Sequence, residues 1–585
     1  MKPTLKFDPR PVASKYFKSS SDSHAAVPLK KTHILTVSVE DYFHVGAFQG
    51  AITRKHWDRL ESRLEHNIAQ VLELLEGHNV RATFFVSGWV AERIPGLVKD
   101  IVSKGHEIGS AGYWPNGVRG KQPQEFRDDL KRGRQVLEWA GAHHIIGYRS
   151  PRNWLAKKEL WMLDVLAEEG YLYDSSINPV LRSFAEQPEH YEVHKHETPG
   201  GGIWEFPIST DAILGVRYAI SGGNYIRQLP HTLLKMAVEH WSRTKSVPLV
   251  FYFMPWELDK KQPQIQVATR LNRIRHYRNL EKTSWVLEEY LQKYNFQPII
   301  EYMGLEKEPG RAWVPPDASD PGELPPGIVD IGTLPSVTLV IPIYNEEQSI
   351  AYLYKTLREF RAKLETRFRV LFCLVDDGSR DDTWNRLTAK FEGLRDCNLM
   401  RHGTNQGVAA AILTGIKNST TETVCSIDCD CSYDPAVLEA MIPLLENADM
   451  VTASPYHPKG RVVNVPKWRL FLSRTLSLMY SNLLHERFYT YTSCCRVYRR
   501  EAMIDLPLHN RGFLGVAEML VRLKLIKGRI IEHPAVLESR ILGESKMKIV
   551  RTIGLHLRFL LQLTFNRKAM REESMPVPKP AQVPV

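Results

Sequence analysis

The sequence predicts an α/β protein made of two consecutive units, each with parallel strands and crossover helices, and three observations predict it. From about residue 33 to about residue 302, short apolar runs alternate with amphipathic helical periods: 34–39, then 63–76, then 82–86, then 94–104. Alternation of this kind packs as parallel strands under helices, in a barrel or a doubly wound sheet. A second alternation begins at Val337-Thr-Leu-Val-Ile-Pro342 and runs to about residue 565. Between the two, residues 306–335 are rich in proline and acidic side chains and carry no periodicity, which is the composition of a linker.

A chain of 585 residues is also too long for one hydrophobic core. The expected boundaries are a loose extension over 1–30, a first unit over 31–305, a linker over 306–334, a second unit over 335–566 and a disordered tail over 567–585.

A formal charge of +11 implies an acidic partner. No zinc-finger spacing, aromatic RNA-binding motif or long basic run accompanies that charge, so nucleic acid is excluded in favour of a phosphate-bearing substrate or a membrane surface. The seven cysteines all follow residue 370, an odd number on mostly apolar segments. They read as buried thiols in a reducing cytosol rather than a disulfide framework. Cys425, Cys429 and Cys431 read as small strand residues rather than thiolate metal ligands. The first 30 residues lack the apolar core of a secretory signal, and no run of 18 apolar residues exists. The expectation is a cytoplasmic protein, peripheral at the membrane.

The first unit carries, in order, Thr36-Val-Ser38-Val-Glu-Asp41-Tyr-Phe-His44, Ala82-Thr-Phe-Phe-Val86, Gly105-His-Glu-Ile-Gly-Ser-Ala111-Gly-Tyr-Trp-Pro115, Gly147-Tyr-Arg149-Ser-Pro151, Tyr173-Asp174, Trp204-Glu-Phe-Pro207 and Tyr252-Phe-Met254-Pro-Trp-Glu257. This set resembles the NodB-like polysaccharide deacetylases of carbohydrate esterase family 4, over roughly residues 33–302. The resemblance implies a distorted (β/α) barrel. It also implies a catalytic Asp where Ser38 stands, two metal-binding histidines where Ala111 and Pro115 stand, and a late proton-donating histidine where Met254 stands. Alanine and proline offer no ligand atom, methionine donates no proton, and an unassisted serine is a poor base. A zinc ion left with Asp41 or Glu40 and His44 is too weakly held to ionise water. The unit is therefore expected to be a pseudo-deacetylase without zinc, in which Arg149, Asp174, Trp256 and Glu257 persist as fold or carbohydrate-surface residues.

The second unit is organised around Val424-Cys-Ser-Ile-Asp428-Cys-Asp430, read as a strand whose alternation turns both carboxylates to one side. Two such carboxylates make a hard oxygen site for Mg²⁺ or Mn²⁺ carrying a diphosphate. Upstream, Pro342-Ile-Tyr344-Asn345-Glu346 and Asp376-Asp377-Gly-Ser379 are strand ends with donors and carboxylates suited to a nucleoside, and Gly407 gives close backbone approach before an alanine-rich helix.

This series resembles the family-2 glycosyltransferases, which have a GT-A (Rossmann-like) fold. Ser454-Pro-Tyr456, Lys459-Gly-Arg461, Cys494-Cys-Arg496, Glu518, Glu532-His-Pro534 and Arg540-Ile-Leu-Gly543-Glu-Ser545-Lys546 narrow the likeness to polyprenyl-phosphate (dolichol-phosphate) mannose synthases. Three positions depart from that pattern: Cys429, Cys431-Ser-Tyr and Val408.

The resemblance implies an inverting transfer from a nucleotide sugar, with Asp428 and Asp430 on the metal and Arg461, Arg496, Arg540, Ser545 and Lys546 placing anionic oxygens. A polyprenyl phosphate acceptor is already ionised and needs no base. A glycan hydroxyl acceptor needs one, and Glu518 is the candidate. Residues 549–565, apolar with interspersed bases, read as an interfacial helix or as one packed on its own unit. Two other readings stay open: a bifunctional deacetylase and glycosyltransferase of cell-surface polysaccharide synthesis, and a carbohydrate-binding scaffold with both sites silent.

Overall fold

The computed structural model describes residues 31–115, 117–152, 154–181, 184, 187–199, 201–213, 216–305, 334–543 and 549–575. The expected extension, nearly all of the linker, and the end of the tail lie outside these residues. The chain divides into two compact units. The first takes in Ser62–Gln262 and Arg270–Pro321 with the chain up to Gly50. The second takes in everything from Gly322, together with Ala51–Glu61 and Pro263–Thr269.

In the first unit the strands are β1 (Thr32–Ser38), β2 (Thr83–Val86), β3 (Glu107–Ser110), β4 (Gly147–Tyr148), β5 (Tyr173–Asp174), β6 (His194–His196), β7 (Ile203–Glu205), β8 (Thr210–Ile213), β9 (Val216–Ala219), β10 (Val250–Phe253) and β11 (Asn295–Gln297). Nine of them form one sheet in the order β10-β1-β2-β3-β4-β5-β7-β6, with β11 also on β1, and β8 and β9 form a separate hairpin. Every pair in the large sheet is parallel except β6 with β7.

Helices such as Leu64–Gly77 and Pro95–Ser103 fall where the 3.6-residue period placed them. The gap between β7 and β10 is bridged by loops rather than by a ladder: Val250 N–H donates to Ser209 Oγ at 2.9 Å and Tyr252 N–H to Ser221 O at 2.8 Å. This is the expected distorted barrel, and its distortion lies at that seam. The C-terminal ends of its parallel strands present Ser38, Arg149, Asp174, Glu205 and Met254, the rim where such barrels carry their sites.

In the second unit the strands are β12 (Ser336–Ile343), β13 (Arg369–Asp376), β14 (Cys397–Arg401), β15 (Thr423–Ser426), β16 (Met450–Ser454), β17 (Arg461–Val463), β18 (Arg496–Arg499), β19 (Ile530–Pro534) and β20 (Val536–Glu538). Seven build a sheet in the order β14-β13-β12-β15-β18-β16-β19 in which only β18 runs antiparallel to its neighbours, and β17 pairs with β20.

Strand alternation sorts β12 between two cores. Val337, Leu339, Ile341 and Ile343 pack with Leu353, Leu357 and Phe360 of the helix Ile350–Leu364. Val340 packs with Ala409, Ile412 and Ile416 of the helix Val408–Asn418 and with the helix Phe513–Leu525 beyond. Both faces are covered, which is why these strands read as continuous apolar runs. The tail departs from expectation. Residues 567–574 form a helix, Arg567–Ser574, because Met570 is buried and Glu573 pairs with Arg522 at 3.0 Å.

Candidate functional site

In the second unit β12, β13 and β15 are adjacent and parallel, so the segments that leave their C-terminal ends meet along one edge. In parallel α/β sheets that edge is where ligands bind. The polar residues after Ile343, Asp376 and Ser426 are brought together there.

The two aspartates converge by a different route from the one expected. β15 ends at Ser426, and Asp428 to Asp430 form a turn, not strand. Cys431 N–H donates to Asp428 O at 3.1 Å, and Cys431 takes a left-handed φ of 51° to close the turn. Sequence spacing found the carboxylates, and a strained turn rather than pleat alternation aims them. Removal from water, and then the neighbouring Asp430 charge, push the Asp428 carboxyl up to about 7, while the Cys494 thiol donates to it.

Asp430 accepts Ser432 N–H on Oδ1 at 2.9 Å and pairs through Oδ2 with Arg540 Nη2 at 2.6 Å. The same guanidinium donates through Nη1 to Glu346 Oε1 at 3.0 Å, and Ser349 Oγ donates to Glu346 Oε2 at 2.9 Å. Arg540 was expected on phosphate oxygens, and here it is the cation of a three-carboxylate cluster. Gly543 makes this approach possible: its φ is +69°, and a Cβ there would lie 3.0 Å from Glu346 Oε2.

Among the described residues no three His, Cys, Asp or Glu side chains converge as a metal site. Asp428 and Asp430 fit a hard divalent cation as a two-carboxylate seat, because a cation between them would offset the burial and the neighbouring Asp430 charge that raise the Asp428 carboxyl. The remaining coordination positions would belong to the ligand.

The other expected donor-site residues form the wall beside this cluster. Pro342 is buried in β12 and Tyr344 is half-buried. Asn345, at φ 52°, takes Ser379 Oγ on its N–H at 2.8 Å and accepts Arg380 N–H on Oδ1 at 2.8 Å. Asp376 faces Arg401 Nε at 3.0 Å and accepts Ser379 N–H at 3.1 Å.

Asp377 is engaged by His402 Nδ1 at 2.7 Å, Gln406 N–H at 2.8 Å and Gly407 N–H at 2.7 Å. Its work is to hold the loop before the helix Val408–Asn418. Gly407 has φ +108° and lies so close to Arg511 that a Cβ would stand 2.4 Å from its carbonyl oxygen. Arg401, His402 and Ser349 carry no spacing signal in the sequence. Only the fold brings them here.

Two expectations are corrected. Glu518 is wholly buried on the helix Phe513–Leu525, where it accepts Arg522 Nε at 2.7 Å, Asn510 N–H at 2.8 Å, Asn510 Nδ2 at 2.9 Å and His509 N–H at 3.3 Å. A carboxylate with four donors on it is a structural anchor, not an available base. Arg496 is also fully buried, because alternation along β18 turns it inward, and its Nη1 and Nη2 donate to Val516 O at 2.7 Å and Tyr491 O at 2.8 Å. It braces two carbonyls. Arg461 is exposed at the start of β17, and Ser545 and Lys546 lie outside the described residues.

In the first unit the degenerate site is a small cavity of about 10 Å³, lined among others by Ser38, Glu40, Ala111, Pro115 and Arg149. That is room for about one water. Arg149 lines the cavity and donates to Ser175 O at 2.9 Å, Thr36 Oγ1 at 2.9 Å and Ser38 Oγ at 3.3 Å. Asp41 accepts the N–H groups of Tyr42 at 3.0 Å and Arg63 at 3.1 Å, and burial pushes its carboxyl up to about 6. Burial and the neighbouring Asp174 raise Glu205 well above the carboxylate range. The Met254 sulfur, where the resemblance implied a histidine, accepts Trp256 Nε1 at 3.2 Å.

Three family models match the chain: polysaccharide deacetylase over residues 57–163, a domain of unknown function (DUF3473) over 175–304, and glycosyl transferase family 2 over 338–506. The dolichol-phosphate mannosyltransferase of Pyrococcus furiosus is 26% identical over 234 residues, 39% of this chain and 63% of that relative. The undecaprenyl-phosphate mannosyltransferase of Micrococcus luteus is 27% identical over 217 residues, 36% of this chain and 87% of that relative. This chain therefore spans less than two thirds of the length of the Pyrococcus relative. Among solved structures, the glucosyl-3-phosphoglycerate synthase of Mycobacterium tuberculosis, in complex with Mn²⁺ and uridine diphosphate, matches with a TM-score of 0.32 and 16% identity, covering 40% of this chain and 80% of that one.

Proposed function

From the premise that this chain joins a polysaccharide deacetylase-type segment to a glycosyl transferase family 2 domain, we propose that the second unit moves a sugar, with inversion and with a divalent metal, from a nucleotide sugar to a polyprenyl phosphate. The first unit is a pseudo-deacetylase. The observation that carries this reading is the cluster of Asp428, Asp430, Glu346 and Arg540 at the sheet edge inside the matched domain.

Bound Mg²⁺ or Mn²⁺ supplies Lewis acidity toward the departing diphosphate. The chain's own residues do the rest. Asp428 and Asp430 seat the cation, and its charge favours the ionised form of Asp428. Arg540, which pairs with Asp430 and Glu346, would offer its guanidinium to phosphate oxygens if a cation took over Asp430. The Tyr344–Asn345 turn and the Asp376–Ser379 loop, bolted together through Asn345 and Ser379, form a rigid wall for the nucleoside.

A lipid phosphate oxygen attacks the anomeric carbon from the face opposite the leaving group. The new C–O bond forms as the sugar–phosphate bond breaks, and the electron pair leaves on the nucleoside diphosphate. No base is required, which agrees with Glu518 being fully engaged elsewhere. A glycan hydroxyl acceptor is thereby disfavoured. The seven free thiols fit a reducing cytoplasmic setting.

A screen of sugar nucleotides with Mn²⁺, with and without polyprenyl phosphate, tests the proposal. Transfer that requires both the metal and the lipid phosphate, and that is lost in Asp428→Asn and Asp430→Asn, is the expected result. Undiminished transfer in either variant overturns it. Acetate release from N-acetylglucosamine oligomers by the wild-type chain overturns the pseudo-deacetylase half.

A further inference from the structure

The second unit includes two short segments that the chain supplies from far upstream, Ala51–Glu61 and Pro263–Thr269, both N-terminal to the glycosyl transferase family 2 match that begins at residue 338. Both bind the stretches of chain that carry the carboxylate cluster. The first segment contributes Arg59, which is 7% exposed. Its Nε pairs with Glu359 Oε2 at 2.8 Å on the helix Ile350–Leu364, and its Nη1 with Asp434 Oδ2 at 3.1 Å. Lys355 Nζ on that helix donates to Leu60 O at 2.7 Å. Asp434 follows closely on Asp430 in the chain, so Arg59 ties the end of the metal-seat turn to a helix.

The same segment holds the stretch that carries Arg540. Lys55 Nζ and His56 Nε2 meet the two carboxylate oxygens of Glu538, His56 at 3.2 Å. The His56 hydrogen bond, foremost among these contacts, pulls the Glu538 carboxyl down to about 2. Glu538 N–H in turn donates to Ser432 O at 2.9 Å, which sets this stretch against the Asp430 turn. The second segment takes the other side of Arg540. Gln266 N–H donates to Ile541 O at 2.8 Å, Ile265 forms an antiparallel bridge with Leu542, and Ile265 is fully buried.

A guanidinium on a long stem goes where its backbone puts it. β20 ends at Glu538, and residues 539–543 belong to no named strand or helix, so the transferase sheet does not itself place Arg540. A displacement of about 1 Å at a reacting centre can cost about 100-fold in rate. We propose that Ala51–Glu61 and Pro263–Thr269 form a brace within the transferase unit that holds Arg540 and the Asp428–Asp430 turn in register for the diphosphate. Arg59, His56 and the Gln266 backbone are positioning residues, acting through Asp434, Glu538 and Ile541. The inference rests on the proposed function for the role of Arg540 at the diphosphate. It gives residues inside the polysaccharide deacetylase and DUF3473 matches a task in sugar transfer.

The test is hydrogen–deuterium exchange on the full chain, read at the amides of residues 539–543, alongside sugar transfer to polyprenyl phosphate with Mn²⁺. Glu538→Gln removes the ion pair, and Gln266→Pro removes the N–H given to Ile541. Each is expected to raise exchange at 539–543 at least tenfold, with the amides of β12 and β13 at wild-type rates, and to lower kcat/KM at least tenfold. Gln266→Ala keeps the backbone N–H and is expected to keep wild-type exchange, a rescue that a general loss of stability would not show. If the proline prevents folding, Glu538→Gln decides the outcome alone. Wild-type exchange at 539–543 in the folded variants overturns the brace, and so does raised exchange with transfer within twofold of wild type. A wild-type chain that transfers no sugar refutes the proposed function instead, and exchange then decides the brace.

Discussion

Glu518 gives the sharpest division between a structural and a chemical role in this protein. Its carboxylate receives a guanidinium N–H, two backbone N–H groups and an amide N–H, and Arg522 is itself only 1% exposed. Glu518→Ala leaves that guanidinium with Glu573 Oε2 at 3.0 Å and Ser574 Oγ at 3.1 Å and leaves the Asn510 N–H without its acceptor. Breaking one side of a buried ion pair costs about 3–5 kcal/mol. For a unit of this size each kcal/mol lowers the melting temperature by about 2–4 °C, so a fall of roughly 6–20 °C is expected. Glu518→Gln keeps one acceptor oxygen and is expected to fall by about half as much.

The assay pairs thermal melting followed by circular dichroism with sugar transfer measured well below the lowest melting temperature. A structural anchor predicts kcat within about threefold of wild type in Glu518→Gln. A general base predicts a loss of about 100-fold or more. A loss of that size with an unchanged melting temperature would falsify the assignment and restore the hydroxyl acceptor.

Asp41 in the first unit is expected to contribute a pH dependence of the opposite sign to that of a salt-bridged carboxylate. Asp41 keeps its proton to about pH 6 when folded but only to its ordinary value of 3.8 when unfolded, so the folded state holds more protons in that window. Stability contributed by this group is full below the unfolded value and is lost as pH rises through the folded one, by about 3 kcal/mol. Thermal melts between about pH 4 and pH 7 should show that decline, and Asp41→Asn should flatten it; an unchanged slope in the variant counts against it.

Gly543→Ala forces a left-handed alanine, at a cost of about 1–2 kcal/mol, and sets a methyl 3.0 Å from Glu346 Oε2. Calorimetric titration should find weaker binding of the donor nucleotide with an intact fold, and wild-type affinity removes Gly543 from the site. Ser38→Asp restores one carboxylate beside Arg149, whose Nη1 now donates to Ser38 Oγ at 3.3 Å, but no ligand at Ala111 or Pro115. Acetate release should stay at background with Zn²⁺ or Co²⁺, and measurable release from this single change refutes the account of the lost metal.

The sequence by itself determined the two α/β units, the helices of the first unit and the pair Asp428 and Asp430, because each is a local property: an apolar period, a proline-rich break, two carboxylates one residue apart. Whether a carboxylate or guanidinium is offered to a ligand is not local, since it depends on which donors and acceptors the packing delivers to it. Glu518 and Arg496 look like chemistry in one dimension and are buried braces in three. Asp377 holds a loop, and Arg540 reaches Glu346 from 194 residues away. The tail read as disorder because its residues are polar, and only the pocket receiving Met570 and the buried Arg522 awaiting Glu573 make it a helix. The exposure of Phe471 on the helix Lys467–Leu484 and of Leu561 on the helix Ile549–Phe565 was likewise decided by tertiary structure. Periodicity reveals that a face is apolar, and only the packed chain reveals whether its own core covers that face.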